Sequence, residues 1–348
     1  MHNTRKYSLS ARGYLNRITF ALALVTLSVV FTGCPKNEGP PSNTRIAVSE
    51  RPAEPKPPII PGAVAFNGER AMDHLRKQID IGPRIPGSPE LAKTRDYITN
   101  SLRSAGLAVM TDEFAASTPV GEKKMVNITA EVPGESKEVV MIASHYDTKL
   151  FKDMTFVGAN DPGASVATLL ELGRVLGASA QKPKLTYWLV FFDGEESFCK
   201  DWDECGKPNA PDNTYGSRHY VSQLRKNNEL ARVRALILMD MMGYKNLELG
   251  RDTMSTRWLQ DIVWRSARDL GYGKYFVDRP EGVGGDDHEP FLRAGIDSVD
   301  LIQLSGYPYW HRADDTVDKI SPQSMKIVGD VVQASLPRVE QYLQNKVR

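Results

Sequence analysis

The chain has 348 residues, enough for one large domain or two small ones with ample surface to bury. Its 44 Lys and Arg nearly balance 43 Asp and Glu, which argues against a basic nucleic-acid groove. A hydrophobic fraction of 41% is that of an ordinary globular protein.

The amino terminus departs from that average. Residues 1–17 hold Arg5, Lys6, Arg12 and Arg17 and no acid, and the uncharged run ITFALALVTLSVVFTG follows. This is the layout of a secretory signal over residues 1–33, and the run is short for a membrane span. It ends in FTGC, which resembles a bacterial lipoprotein processing box, with Phe31 bulkier than the usual leucine. On that reading Cys34 is the lipidated first residue of an exported protein held on the cell envelope. The alternative is an ordinary signal peptide followed by an incidental cysteine. Residues 34–65, with ERPAEPKPPIIPG, are rich in Pro and charge and read as an extended tether.

Residues 66–348 read as a single domain. Ala71, Leu75 and Ile79 have helical spacing and Gly82 stops that helix; Leu91, Tyr97, Ile98 and Leu102 share a stripe on a second helix, opened by Ser88 and stopped by Gly106. LAVMTDEF and MVNITAEV read as strands. From residue 138 strands and helices alternate: EVVMIASH, KLTYWLVFF, VRALILMD and DSVDLIQL are strands, each separated from the next by a helical pattern, and a last helix runs from Ser321. Strands this continuously apolar predict a mostly parallel twisted sheet covered on both faces, a three-layer α/β sandwich.

In such sheets, sites form beyond the carboxyl ends of the strands. Here those ends carry His145 and Asp147, then Asp193, Glu195 and Glu196, then Asp240, and a run leading to His311; Asp161 and the Asp286–Asp287–His288 triplet precede helices. Each alone has a bland reading: Asp161 as a helix cap, His145 as a hydrogen-bonded rim histidine, Asp193 as a turn former. Together, acids converging on one cleft repel unless a cation sits among them, and mixed Asp, Glu and His donors suit zinc. Other chemistries lack their motifs. There is no GxSxG elbow, Walker A loop, GxGxxG after a strand, or HExxH. Cys199 and Cys205, six apart in CKDWDEC, read as a small disulfide loop in an exported protein or as two free thiols. The Asn127 sequon reads as chance.

The motifs SHYDTK, FVGANDPGAS, LLELGRVL, FFDGEESF, YGSRHY, LMDMMG, DDHEPFLRAGI and WHRADDTVDKI resemble those of the animal-type glutaminyl cyclases (glutaminyl-peptide cyclotransferases), relatives of the zinc aminopeptidases, in the same order from about residue 66 onward. The resemblance implies one zinc per chain on Asp161, Glu196 and His311, with Glu195 as general acid/base in a carboxylate network with Asp240 and Asp286. It implies a substrate pocket lined by Trp310, with Trp202 reaching it from the cysteine loop. The reaction implied closes the amino-terminal glutamine of a peptide or protein into pyroglutamate and releases ammonia. Nearby Asp240 and Asp286 are expected to raise the pKa of Glu195. Two positions depart from the family. Ser144 replaces a cysteine, and Gly306–Tyr307 stand where a phenylalanine–proline pair is frequent, so Tyr307 or Tyr309 is expected to rebuild the pocket wall. The other readings are a zinc aminopeptidase, with His145, Asp161, Glu196, Asp240 and His311 holding two metals, and a non-catalytic binding protein. The expected partners are peptide substrates and, through Cys34, a membrane; the chain is expected to be a monomer that binds no nucleic acid.

Overall fold

The computed structural model describes residues 64–202 and 204–346. The expected signal segment, Cys34 and nearly all of the tether lie outside the described residues. Helix α1 (Gly68–Ile81) starts where Asn67 accepts the backbone N–H groups of Glu69 and Arg70, and it ends at Gly82 with φ 112°. Helix α2 (Pro89–Ser104) has Pro in its first turn, and the Ser88 hydroxyl accepts the Leu91 N–H. These match the helices read from spacing.

Six strands form the central sheet: β1 (Ala108–Thr118), β2 (Gly121–Val132), β3 (Ser136–His145), β4 (Leu185–Phe192), β7 (Val233–Asp240) and β10 (Asp297–Ile302), in the order β1-β2-β4-β3-β7-β10. β4, β3, β7 and β10 run parallel, and β1 and β2 add an antiparallel edge. The expected sandwich is therefore the observed one. Alternate residues show why both faces must be covered. Val140 and Ile142 of β3, with Leu189, Phe191, Ile237 and Met239, pack under α1, α2, α3 (Ser165–Gly177), α5 (Arg257–Asp269) and α7 (Pro322–Asn345). Val139, Met141, Ala143, Val190 and Phe192 point the other way, onto α4 (Tyr215–Lys226) and α6 (Glu289–Arg293).

The small pairs β5 (Gly206–Lys207) with β6 (Ala210–Pro211) and β8 (Leu249–Asp252) with β9 (Phe276–Glu281) were not legible. β5, β6 and β8, of two to four residues, carry too little alternation to be read as strands, and the six of β9 are interrupted by Pro280. The helix expected from Gly163 is preceded by a π-helical turn, Ala159–Ala164, in which Asp161 leaves helical geometry (φ −109°, ψ 92°). That departure lets Asp161 face the sheet rim.

Trp264 of α5 is fully buried, lies edge-on to Phe276 and donates its indole N–H to the Val277 carbonyl at 3.1 Å. Trp264→Ala is expected to lower stability by about 3–5 kcal/mol, read as a shifted urea midpoint. A loss under ~1 kcal/mol would show that this face is not closely packed.

Candidate active site

Because β3, β4, β7 and β10 are parallel, their carboxyl ends share one rim. A cavity of about 210 Å³ opens there, holding Asp161, Glu195, Glu196, Asp240, Asp286 and His311, with Trp202, Trp310, Ile302 and Leu304 in its walls.

Two donor sets overlap in it. His311 Nε2 lies 3.2 Å from Glu196 and 3.5 Å from Asp161 Oδ2. His145 Nε2 lies 3.3 Å from Asp161 Oδ1 and 3.3 Å from Asp240 Oδ1. Each triplet brings its ligand atoms within 4.8 Å of one another, so each could hold a metal ion. An imidazole with two carboxylates and room for a fourth ligand is the donor chemistry of a catalytic site for an ion of zinc's preferences.

Buried groups aim these side chains. Arg84 is fully buried and donates to the carbonyls of Val157 and Gly158 at 2.8 Å each. Gly158 has φ 54°, and a Cβ there would stand 1.9 Å from the Asp161 carbonyl oxygen, so only glycine fits. Asp315 accepts the N–H groups of Asn160 (2.8 Å) and Asp161 (3.1 Å) and is itself held by the Tyr307 hydroxyl. Asp147 does the same for the second loop, accepting the N–H groups of Glu195 (3.1 Å) and Glu196 (3.3 Å). Asp193 accepts the Val126 N–H and the Tyr146 hydroxyl, so it supports the turn. Phe151 and Phe156 meet the His311 ring edge-on, and Trp310 stacks on it at 4.3 Å. Of four non-glycine residues with positive φ among the described residues, His311 and Met241 line the cavity, and Thr214 donates its N–H to the Glu195 carbonyl. Left-handed backbone at such residues costs energy, and it concentrates where function fixes geometry.

The electrostatics separate the two glutamates. Burial pushes the Glu195 carboxyl well above its usual range, with Glu196, Asp286 and Asp287 adding to the rise and His145 opposing it. Burial also acts to raise Glu196, but His311, Lys149 and His145 outweigh it and hold that carboxyl low. Lys149 is buried, 3.8 Å from Glu196, with its ammonium donating to Ser197 and to the Cys199 carbonyl. Burial, then Asp240, pushes Asp286 up to about 7. The expectation for Glu195 thus holds in direction and is corrected in cause. Burial leads, Asp286 contributes, and Asp240 acts mainly on Asp286 and His145.

All the expected ligand and catalytic residues, Asp161, Glu196, His311, Glu195, Asp240 and Asp286, meet in this one cavity. Trp202 lies in its wall, carried by a loop that the Cys199–Cys205 disulfide closes. Trp310 is 43% exposed and stands at the mouth. Tyr309 is a correction. It does not line the cavity and packs on Tyr307 and Tyr244, with the Lys319 ammonium over its ring. Tyr307 turns inward to Asp315, so neither tyrosine rebuilds the wall; Leu304 and Trp310 supply it. Asn127 is buried, bonded to Gly216 and Asp193, in keeping with a chance sequon. Sequence reading missed Arg84, Lys149 and Asp315, and left Asp147 without a role. Buried charge inside an apolar-flanked motif was the available signal, since Lys149 sits in SHYDTK and Asp315 in WHRADD.

The mostly parallel sheet, with two overlapping imidazole–carboxylate sets at its carboxyl rim, has the aminopeptidase-type α/β fold. The chain belongs to peptidase family M28, whose sequence profile matches residues 127–336. It is 31% identical over 295 residues to the bovine (Bos taurus) glutaminyl-peptide cyclotransferase, covering 74% of this chain and 79% of that one. Among solved structures it is similar to an Acidobacteriales bacterium glutaminyl cyclase (TM-score 0.74, 34% identity, 84% of this chain and 99% of that one). A Zn-dependent exopeptidase from Parabacteroides distasonis is also similar (TM-score 0.71, 26% identity, 82% of this chain and all of that one).

Proposed function

We propose that this chain is a glutaminyl-peptide cyclotransferase that converts an amino-terminal glutamine to pyroglutamate with release of ammonia, using one zinc ion. The observation that carries this reading is the pairing of a buried, weakly acidic Glu195 with the Asp161–Glu196–His311 set inside a small cavity walled by two tryptophans. The cyclotransferase and cyclase relatives support it.

Asp161, Glu196 and His311 would hold the zinc, which supplies Lewis-acid polarisation of the γ-carboxamide carbonyl. Trp310 and Trp202 flank the uncharged side chain and exclude water, which would otherwise hydrolyse the same amide. Glu195 takes a proton from the substrate α-amine as its nitrogen bonds to the carbonyl carbon of the side-chain carboxamide. It returns that proton to the departing amide nitrogen, so the C–N bond breaks and ammonia leaves with no net change at Glu195. Its raised pKa suits both halves, because the group must bind a proton and then release it. Asp286 and Asp240 keep the adjoining charge balanced as the proton moves.

The second reading, a two-metal aminopeptidase, draws on the His145–Asp161–Asp240 set. Zinc per chain, measured beside parallel assays on a glutamine-terminated peptide and a leucine arylamide, separates the two. One zinc with pyroglutamate formation is the expected result. Two zincs with leucine release and no pyroglutamate would overturn the cyclase reading.

A further inference from the structure

The catalytic cavity, at about 210 Å³, is smaller than the ~300–1,000 Å³ of a typical ligand pocket. It has room for the terminal residue of a peptide, and the rest of the substrate must leave through the mouth. A groove of about 810 Å³ adjoins the cavity and shares Trp202 and Gly284 with it. Its lining holds four cations, Lys207, Arg218, Arg225 and Arg293, against one carboxylate, Glu289. Glu289 is already committed to Arg293 at 2.5 Å. Arg218 is fixed in place by the carbonyls of Asn213 and Pro211 and by the face of Tyr215. Lys207 and Arg225 are exposed, and neither pairs with a carboxylate among the described residues.

A near-neutral chain has therefore placed unbalanced positive charge along the exit path from its catalytic cavity. We propose that this groove is the subsite for the residues that follow the terminal glutamine, and that it selects peptides carrying acidic side chains there. The proposal rests on the cyclase reading and deepens it into a substrate class. Charge complementarity of this kind speeds encounter and discriminates among partners, and salt screens it.

The test uses pentapeptides of Gln and four Ala, with a single Glu or Lys placed in turn at positions two to five, beside the dipeptide Gln-Ala-amide. At low ionic strength the wild-type protein is expected to favour Glu over Lys in kcat/KM by about three- to tenfold at one or more positions, as two exposed ion pairs would give. The ratio should shrink toward unity at high salt. The double variant Lys207→Glu/Arg225→Glu should reverse it, with turnover of Gln-Ala-amide unchanged. Both residues are exposed, so the fold should not suffer, and dipeptide turnover reports that directly. Turnover of the dipeptide with no charge preference at any position, or a preference that survives the double variant, overturns this proposal alone. No turnover of the dipeptide by the zinc-loaded wild type overturns the cyclase reading and this proposal with it.

Discussion

Glu195→Gln is expected to lower kcat for pyroglutamate formation by about 10²–10⁴-fold while zinc content stays at the wild-type value. The substitution keeps the shape of the side chain and removes the carboxylate that the proposed mechanism uses to accept and return the proton. The backbone that positions it is untouched, because Asp147 holds the N–H of residue 195 and Thr214 holds its carbonyl. Stability should be equal or higher. Burial is the leading cause of the raised pKa of Glu195, so ionising this group in the folded state carries a desolvation cost that the amide does not. Rapid-quench measurement of ammonia release, with thermal melts at pH 8, checks both parts. A kcat within tenfold of wild type would remove Glu195 from the proton path and shift attention to Asp286.

Removal of the metal is expected to have an effect of the same order. Exhaustive dialysis against a chelator should reduce turnover to about 1% or less, and one equivalent of zinc should restore it. Glu196→Ala and His311→Ala should leave a residue of activity that one equivalent does not rescue. If zinc binds the folded chain alone, as the proposed site requires, then at about a hundred times its dissociation constant it should add about 2.7 kcal/mol to stability. The metal-free chain should also show a distinctive pH response through Asp286. Its folded carboxyl titrates at about 7, above the ordinary range, so the folded state binds more protons than the unfolded state between about pH 4 and 7. Its contribution is therefore unfavourable once the group ionises, and stability falls as pH rises through that window. Asp286→Asn should flatten the slope. A chain that turns over fully after verified metal removal would end the metal-dependent reading.

What could be read from the residues follows what repeats. Three of the four parallel strands announce themselves because they are largely apolar on both faces, while β10, DSVDLI, is read from its place in the alternation; the strand-end rule then gathers His145, Glu195, Glu196 and Asp240 without any coordinates. Asp161 and His311 are harder, since one sits in an irregular turn and the other in a loop well past β10; the run of motifs located them, not periodicity. Asp147 and Asp315 sit inside the quoted motifs, but nothing in those motifs shows what they do. Their task is to accept backbone N–H groups from loops far away in sequence, and such pairs leave no local pattern. Tyr309 was misplaced for a related reason. Adjacency to Trp310 in sequence says nothing about direction when the backbone reverses at His311, whose φ is 54°.

The Asp161 carboxylate has one oxygen toward His311 and the other toward His145. The two donor sets are therefore mechanically linked. A rotation of this one side chain that tightens its hold on one side must slacken it on the other. Arg84, Gly158 and Asp315 clamp the backbone from which that rotation would start. Residues that contribute no donor atom thus bear on the geometry of both donor sets at once.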